Sequence, residues 1–153
     1  MTAIFERVGD LAPHIGKSIG TSDWVTVTQQ DIDAFAALTG DSQWIHTDVE
    51  RAKKEMPGGK TLAHGYLVLS LMPRMAIPLW RIEKKKHALN YGLNKLRFTA
   101  PVPSGSRIRL TVIPKSLEPI ENNGTRLVME NIFELEGSKK PAIVAEVLLA
   151  YFD

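Results

Sequence analysis

The sequence contains no cysteine among its 153 residues. This absence excludes disulfide bonds, thiolate metal sites and a cysteine nucleophile, and it is typical of a reducing compartment. We therefore expect a cytoplasmic protein. An excess of one charge is lacking as well, because 19 basic and 17 acidic residues leave a net charge of +2. A nucleic-acid-binding protein needs a basic stripe, so we expect no nucleic-acid partner.

Long apolar runs are also missing. The most apolar stretch, residues 62–80, is interrupted by His64, Pro73 and Arg74. A membrane-spanning helix needs about 20 mostly apolar residues, so we expect no membrane partner. The first ten residues include Glu6 and lack the apolar core of a secretion signal, so we expect no such signal at the start of the sequence.

Familiar cofactor and metal motifs do not occur. The sequence has no G-x-G-x-x-G, no P-loop and no H-E-x-x-H. His46 and Asp48 do not match the spacing of metal ligands. The sequence therefore predicts neither a bound metal nor a nucleotide or redox cofactor.

What is present is enough for one folded domain. Hydrophobic residues make up 44% of the chain, the proportion of an ordinary globular protein. No repeat or linker interrupts it, so we predict a single domain over residues 1–153. Residues 1–23 are predicted as an extension packed on that domain, with weak helical periodicity over residues 1–20.

A first helix is predicted over residues 28–40. Thr28 is a favourable N-cap, and Asp31 three residues later resembles a capping box. Gly40 can end the helix in the left-handed conformation. The apolar residues at helical spacing are Ile32, Phe35, Ala36 and Leu38.

The remaining pattern predicts an α+β fold. A short strand is expected over residues 24–28, a loop over 41–47 and a polar helix over 49–55. Residues 64–80 predict a buried helix, kinked or broken at Pro73 because a proline removes a helical hydrogen bond. Four β-rich segments with short turns predict an antiparallel sheet that wraps this helix. These segments are Leu89–Phe98, Arg107–Leu117, Thr125–Glu136 and Ala142–Phe152.

Asp41 and His46 stand at the two ends of the predicted loop. Side chains at this spacing in a loop can turn toward one point, where a carboxylate and an imidazole orient a water and accept its proton. The structural alternative is an Asx-turn at Asp41 and a packed ring at His46.

A second candidate is the pair His64 and Gly65, where the chain enters the buried helix. The Gly65 amide would be an unpaired donor at a helix start, suited to a carbonyl oxygen that gains negative charge. The alternative is that Gly65 permits close packing and that His64 is a satisfied buried histidine. Ser70 is expected to bond to its own helix backbone rather than to act as a nucleophile.

Basic residues follow the helix. The segment from Glu83 to His87 predicts a solvated loop, or a site for the phosphates of a nucleotide-bearing ligand. The candidates for such contacts are Lys84, Lys85, Lys86, Arg74 and Arg81.

Three motifs carry a family resemblance. Phe35-Ala-x-x-Thr-Gly-Asp-x-Gln-x-Ile-His46, Leu62-Ala-His-Gly-Tyr-Leu67 and Arg97-Phe-x-x-Pro-Val-x-x-Gly-Ser106 resemble the MaoC-like, (R)-specific enoyl-CoA hydratase family. The segment Asn90-Tyr-Gly-Leu-Asn-Lys-Leu-Arg-Phe98 and the long N-terminal extension resemble its NodN-like branch. The resemblance runs from about Trp24 to the C-terminus.

The resemblance implies a hot-dog fold, in which an antiparallel sheet wraps a central helix, and a homodimer with thioester tunnels. It implies that Asp41 and His46 are the catalytic pair and that the Gly65 amide is the oxyanion donor. The implied reaction, in fatty acid metabolism, is hydration of trans-2-enoyl-CoA to (R)-3-hydroxyacyl-CoA and the reverse dehydration. The only partner implied besides a second copy is a small-molecule acyl thioester, with no cofactor.

The predicted substrate-binding residues are His64, Tyr91, Asn94, Gln43 and Trp44. Gln43 and Trp44 stand where many family members have Asn-Pro, so Gln43 is expected to brace the loop and Trp44 to alter the tunnel. Two alternatives remain open: a non-catalytic acyl-thioester-binding accessory subunit and a hot-dog thioesterase. The absence of a carboxylate over residues 65–80 counts against the thioesterase.

Overall fold

An antiparallel sheet with a broken helix packed against it forms most of the molecule. The computed structural model describes residues 2–152, so Met1 and Asp153, the ends of the predicted domain, lie outside the described residues. The strands are β1 (Ala3–Phe5), β2 (Gly20–Thr21), β3 (Val25–Thr26), β4 (Trp80–Ile82), β5 (His87–Phe98), β6 (Arg107–Ile120), β7 (Gly124–Leu135) and β8 (Ile143–Phe152). The α-helices are α1 (Gln29–Thr39), α2 (Trp44–Thr47), α3 (Val49–Glu55), α4 (Gly65–Ser70) and α5 (Met72–Ala76). Two 3-10 helices span Val8–His14 and Pro57–Gly59.

The main sheet has the order β2-β6-β7-β8-β5, and β3 also pairs with β6. All of its pairings are antiparallel, whereas β1 and β4 form a separate parallel pair. The α+β class and the antiparallel sheet are therefore confirmed. β5 stands at one end of the order, and among the described residues it pairs only with β8.

The core lies between the sheet and the broken helix. Alternate residues of β6 are buried, as expected for a strand with one covered face. The helix contributes Leu67, Val68 and Met75 to the same cluster of buried side chains. Fully buried sheet residues opposite them include Ile108, Leu110, Leu127, Met129 and Phe133.

The central helix is broken, as Pro73 predicts. α4 ends at Ser70, and Pro73 lies in the first turn of α5, where its missing N–H removes no helical hydrogen bond. The prediction of a buried helix is correct for one face only in the single chain. Tyr66 is 65% exposed and Ile77 is 71% exposed, because only one face of the helix packs on the sheet.

The predicted boundaries of α1 are confirmed. Thr28 Oγ1 accepts a hydrogen bond from Asp31 N at 3.1 Å, and Asp31 Oδ2 accepts one from Thr28 N at 2.9 Å. Gly40 ends the helix with a φ of +81°. Leu38, however, is 84% exposed, so its place in the apolar stripe is wrong. It follows the buried Ala36 by two positions, and residues two apart do not share a helix face.

The N-terminal extension is not the weak helix that its periodicity predicts. It forms β1, a 3-10 helix over Val8–His14, and β2. Phe5, Val8 and Leu11 reach the core, whereas Ile4 points outward. Tertiary pairing of β1 with β4 therefore outweighs the local helical pattern.

The sequence predicts that the apolar stretch over residues 62–80 is not a membrane-spanning helix, and the lengths of the helices can be compared with this prediction. In the part of the chain that the structure describes, no helix has the length and apolar character needed to span a bilayer.

We expect Thr28→Ala to lower the free energy of unfolding by about 1 kcal/mol near neutral pH, the usual loss for an N-cap. Hydrogen bonds from the Thr28 backbone and side chain hold the pKa of Asp31 below its usual value. This stabilisation is present above the unfolded-state pKa of about 3.9 and is lost as the pH falls through the lower folded-state pKa. Denaturant unfolding at pH 7 and pH 3 should therefore show a smaller difference from wild type at pH 3.

Thr26→Ala, at an exposed position of β3, is the matched control and should show no such pH dependence. Equal destabilisation by Thr28→Ala at both pH values would contradict the role given to the Asp31 carboxylate.

Candidate active site

Asp41, His46 and His64 come together beyond the end of α1. One carboxylate oxygen of Asp41 and one ring nitrogen from each histidine all lie within 4.8 Å of one another. The Asp41 side chain is 56% exposed, whereas both histidines are buried. The structure thus brings the predicted pair together, with a solvent-facing carboxylate beside two sheltered rings, and adds His64 as a third member.

Asp41 is positioned by the way α1 ends. Gly40 in the left-handed conformation turns the chain away from the helix axis. The Asp41 amide then donates to Thr39 Oγ1 at 3.3 Å, and the Thr39 hydroxyl donates to the Phe35 carbonyl at 2.7 Å. The carboxylate therefore follows directly from a capped helix end.

His46 lies in the single turn of α2, where the sequence predicts a loop. Its Nδ1 lies 2.6 Å from the Leu62 carbonyl oxygen. A carbonyl oxygen can only accept, so Nδ1 carries the hydrogen and Nε2 of the neutral ring is left with its lone pair. This hydrogen bond sets the histidine in the tautomer that can accept a proton at Nε2.

Two residues that the sequence reasoning missed support the His46 backbone. Gln29 Nε2 donates to the His46 carbonyl at 2.8 Å. The hydroxyl of the buried Thr61 donates to Gln29 Oε1, and the Leu62 amide donates to the Ile45 carbonyl at 2.9 Å. A glutamine in the first turn of a helix carries no local signal of such a contact, so the sequence alone could not have identified it.

The His64 ring is only 3% exposed. It stacks on the His46 ring with centroids 3.8 Å apart and an interplanar angle of 26°, and it contacts the Phe35 ring at 5.0 Å. Its Nε2 donates to the Asp41 backbone carbonyl at 2.9 Å, whereas its buried Nδ1 has no hydrogen-bond partner among the described residues. The interpretation of His64 as a satisfied histidine is therefore wrong at one nitrogen.

Gly65 is the first residue of α4, so its amide has no acceptor within its own helix. A Cβ added there would lie 2.8 Å from Phe98 Cδ1, which shows that the packing interpretation also has a basis. A cavity of about 400 Å³ reaches Gly65 but not Asp41 or His46. Its wall is formed by Ala63, Gly65, Tyr66, Val68, Phe98, Thr99, Ala100, Pro101, Val102, Ala142 and Ile143.

Gln43 and Trp44 stabilise the α2 turn. The Gln43 backbone carbonyl accepts from His46 N at 2.9 Å, and its side chain makes no capping bond, so the brace is the backbone rather than the amide. The Arg51 guanidinium lies 4.0 Å over the Trp44 ring, and Arg51 Nε donates to Glu55 Oε2 at 3.1 Å. The contact between Trp44 and Arg51 therefore links α2 to α3.

Tyr91 and Asn94 lie on β5, each within a register shift against β8. Tyr91 lines a cavity of about 480 Å³ together with Ser70 and Pro73. Asn94 Nδ2 donates to Glu146 Oε1 at 2.6 Å. Neither residue contacts Asp41 or His46 through these interactions. A substrate-binding role for Tyr91 and Asn94 therefore stays a prediction.

Four of the remaining candidates have structural partners. Lys84 pairs with Glu6 at 2.5 Å, and Lys85 Nζ donates to the Ile82 carbonyl at 2.5 Å. Ser70 Oγ donates to the Tyr66 carbonyl at 2.7 Å, which confirms the helix-bonded interpretation. Arg81 pairs with Glu83 at 3.1 Å, an exposed contact. Such surface pairs contribute little free energy and can rearrange, so phosphate binding here stays a prediction.

The three clustered side chains are of the types that bind transition metals, but their arrangement fits an ion poorly. Metals bind imidazole along the lone pair, in the plane of the ring. The His46 and His64 rings are stacked, and one nitrogen of each is already bonded to a carbonyl. One ion could reach both rings only if one of them rotated. The absence of a metal or other cofactor stays a prediction.

Comparison with known proteins shows what the whole chain is similar to. The family model described as "MaoC like domain" matches residues 10–129. The 3-hydroxyacyl-thioester dehydratase Z of Mycobacterium tuberculosis is 48% identical over 147 residues, covering 96% of this chain and 97% of that protein. Nodulation protein N of Rhizobium leguminosarum bv. viciae is 38% identical over 151 residues, covering 95% of this chain and 92% of that protein.

The solved structure of the (R)-hydratase from A. caviae has a TM-score of 0.64 at 21% identity, covering 88% of this chain and 94% of that one. This likeness confirms the hot-dog fold. The matched domain and the relatives identify the chain as an enzyme of the hydratase and dehydratase class, a member of the MaoC-like family in its NodN-like branch.

Proposed function

We propose that the enzyme adds water across the C2–C3 double bond of trans-2-enoyl-CoA to give (R)-3-hydroxyacyl-CoA, and that it catalyses the reverse dehydration. The observation that carries this proposal is the hydrogen bond from His46 Nδ1 to the Leu62 carbonyl. It leaves Nε2 free to take a proton in the cluster that also contains the Asp41 carboxylate.

In the hydration direction, Asp41 and His46 hold the attacking water. His46 Nε2 takes a proton from this water as the oxygen bonds to C3. The electron pair of the double bond moves through C2 to the thioester oxygen, which the Gly65 amide stabilises as an enolate. A proton from the pair then returns to C2, so one water supplies both the hydroxyl group and the hydrogen.

The name of the 48% identical relative supports a 3-hydroxyacyl thioester as the substrate class. A thioester of this kind is an intermediate of fatty acid metabolism, and we place the enzyme there, in the cytoplasm. The attack on C3 requires no redox group, because water addition beside a thioester needs only proton transfer and enolate stabilisation.

We also propose that the enzyme is a homodimer, with a second copy covering the outer side of the central helix and β5. β5 is an end strand of the sheet, and nearly all of its residues are exposed. Large apolar side chains are concentrated on this surface, which is unusual for a monomer. They are Tyr66, Ile77, Leu89, Tyr91, Leu93 and Phe98.

The first experiment follows the enoyl-thioester absorbance of crotonyl-CoA and of a medium-chain trans-2-enoyl-CoA, with the stereochemistry of the product determined. We expect hydration by the wild-type enzyme. Asp41→Asn and His46→Gln should each lower kcat by about 10²-fold or more, because each removes one member of the acid–base pair.

The exposed Asp23 and His14 provide matched controls, and Asp23→Asn and His14→Gln should retain wild-type kcat. Wild-type turnover that survives both site substitutions would overturn the assignment of the pair. Thioester binding without turnover would favour the accessory subunit, and release of free CoA would favour the thioesterase.

A second experiment tests the oxyanion role of the Gly65 amide. Proline is tolerated at the first position of a helix, so Gly65→Pro deletes the N–H at little cost to α4. Because any Cβ here meets the Phe98 ring, both Gly65→Pro and Gly65→Ala are made together with Phe98→Leu. We expect the proline variant to have a kcat about 10²- to 10³-fold below that of the alanine variant.

The alanine variant is the control, since it keeps the amide and differs in little else. Equal kcat values for the two double variants would mean that Gly65 serves packing alone.

A third experiment tests the homodimer by light scattering after size-exclusion chromatography. The wild type should elute with the mass of two chains. Leu93→Lys places a charge in the middle of β5 and should shift the protein to the monomer. Leu38→Lys, at the most exposed apolar position of α1, is the control and should remain dimeric. A monomeric wild type at micromolar concentration would contradict the proposal.

A further inference from the structure

His64 has a second kind of evidence for function besides its place in the cluster. Its ring is 3% exposed, so its surroundings are protein rather than solvent or a ligand channel. We propose that His64 is a positioning residue, which holds the Asp41 backbone and the His46 ring in their catalytic arrangement without touching the substrate. This inference rests on the proposed hydratase function of the same site.

His64 contacts the backbone of Asp41. Since the Asp41 carbonyl can only accept, His64 Nε2 carries the hydrogen of the 2.9 Å bond between them. The same nitrogen lies 4.0 Å from Asp41 Oδ2. The N–H group therefore restrains the residue just beyond Gly40, where the helical hydrogen bonds of α1 have ended.

Two contacts restrain the His46 ring. The Leu62 carbonyl fixes the direction of one edge of its ring, and the stacked His64 ring restrains one face at 3.8 Å. Together the two contacts restrict both rotations of the side chain. The direction of the His46 Nε2 lone pair thus depends on His64 as well as on the backbone.

The other ring nitrogen of His64, Nδ1, has no hydrogen-bond partner among the described residues. With the hydrogen on Nε2, the neutral ring has a lone pair on this buried nitrogen. An unsatisfied buried polar atom lowers stability, and a phenylalanine of similar shape would avoid this cost. A residue that serves packing alone would not need a ring nitrogen here. The hydrogen bond that His64 Nε2 donates to the Asp41 carbonyl therefore accounts for a histidine at this position.

His64→Phe should lose activity without losing stability. The phenyl ring keeps the stacking on His46 and the contact with Phe35 but loses the donor to Asp41. We expect a melting temperature equal to or above that of wild type, a kcat about 10- to 100-fold lower, and a KM within about 2-fold of wild type. His64→Gln keeps an N–H near the position of Nε2 and should retain more kcat than His64→Phe.

His14→Phe is the matched control, because His14 also contacts an aromatic ring, that of Phe5, but lies outside the site. Its kcat should equal that of wild type. Three results would overturn the proposal: an unchanged kcat in His64→Phe, a raised KM with unchanged kcat, which would indicate substrate contact, or loss of folding, which would indicate that the hydrogen bond to Asp41 serves stability.

A measurement without substrate separates this proposal from the proposed function. Nitrogen-15 NMR of the ligand-free wild type should show His46 in one tautomer with the hydrogen on Nδ1. In His64→Ala, which removes the ring stacked on His46, we expect a mixture of tautomers and faster solvent exchange of that hydrogen. Unchanged spectra would overturn the positioning role even if the wild type hydrates enoyl-CoA. An altered spectrum would support it even if another substrate is the true one.

Discussion

The hydrogen bond from His46 Nδ1 to the Leu62 carbonyl joins the site to the sheet. Leu62 forms an isolated bridge with Pro103, and the Ala63 amide donates to the Val102 carbonyl at 2.8 Å. These contacts fix the segment just before α4 to the segment that leads into β6. Because His46 takes its ring orientation from this segment, the direction of its basic nitrogen is set by long-range backbone pairing rather than by the α2 turn alone.

The site also shows a contrast in burial between the two proposed acid–base groups. The Asp41 carboxylate is largely in contact with solvent, whereas His46 is buried against His64. Water can therefore reach the carboxylate while the histidine keeps a fixed orientation in a medium of lower dielectric constant, where its interactions are stronger. The arrangement places a solvent-accessible carboxylate beside an oriented imidazole at one boundary of the fold.

Local sequence signals were sufficient for the elements that local interactions stabilise. The Thr28–Asp31 capping box and the left-handed Gly40 bracket α1 and so place Asp41. The alternating strands and the break near Pro73 follow from equally local rules. The motif from Phe35 to His46 also sufficed to predict that Asp41 and His46 meet.

Local sequence patterns do not predict contacts between segments that are distant along the chain. The His46–His64 stack and the Gln29 bond to the His46 carbonyl arise only when α1, α2 and the segment before α4 are packed together. For the same reason the N-terminal segment was predicted as a weak helix although it forms β1 against β4. Its hydrogen-bond partners are far along the chain, and a periodicity argument counts only neighbours.

Phe98 connects the proposed dimer surface to the proposed oxyanion site. Its ring packs where a side chain on Gly65 would lie, and it meets the Tyr66 ring at 5.5 Å in an edge-to-face contact. Tyr66 is 65% exposed and Phe98 is 48% exposed in the single chain. A second copy seated on β5 would cover them and restrict the motion of Phe98 over the Gly65 amide. In the proposed dimer, association and enolate stabilisation would then share one aromatic side chain, because the second copy would hold Phe98 beside the Gly65 amide.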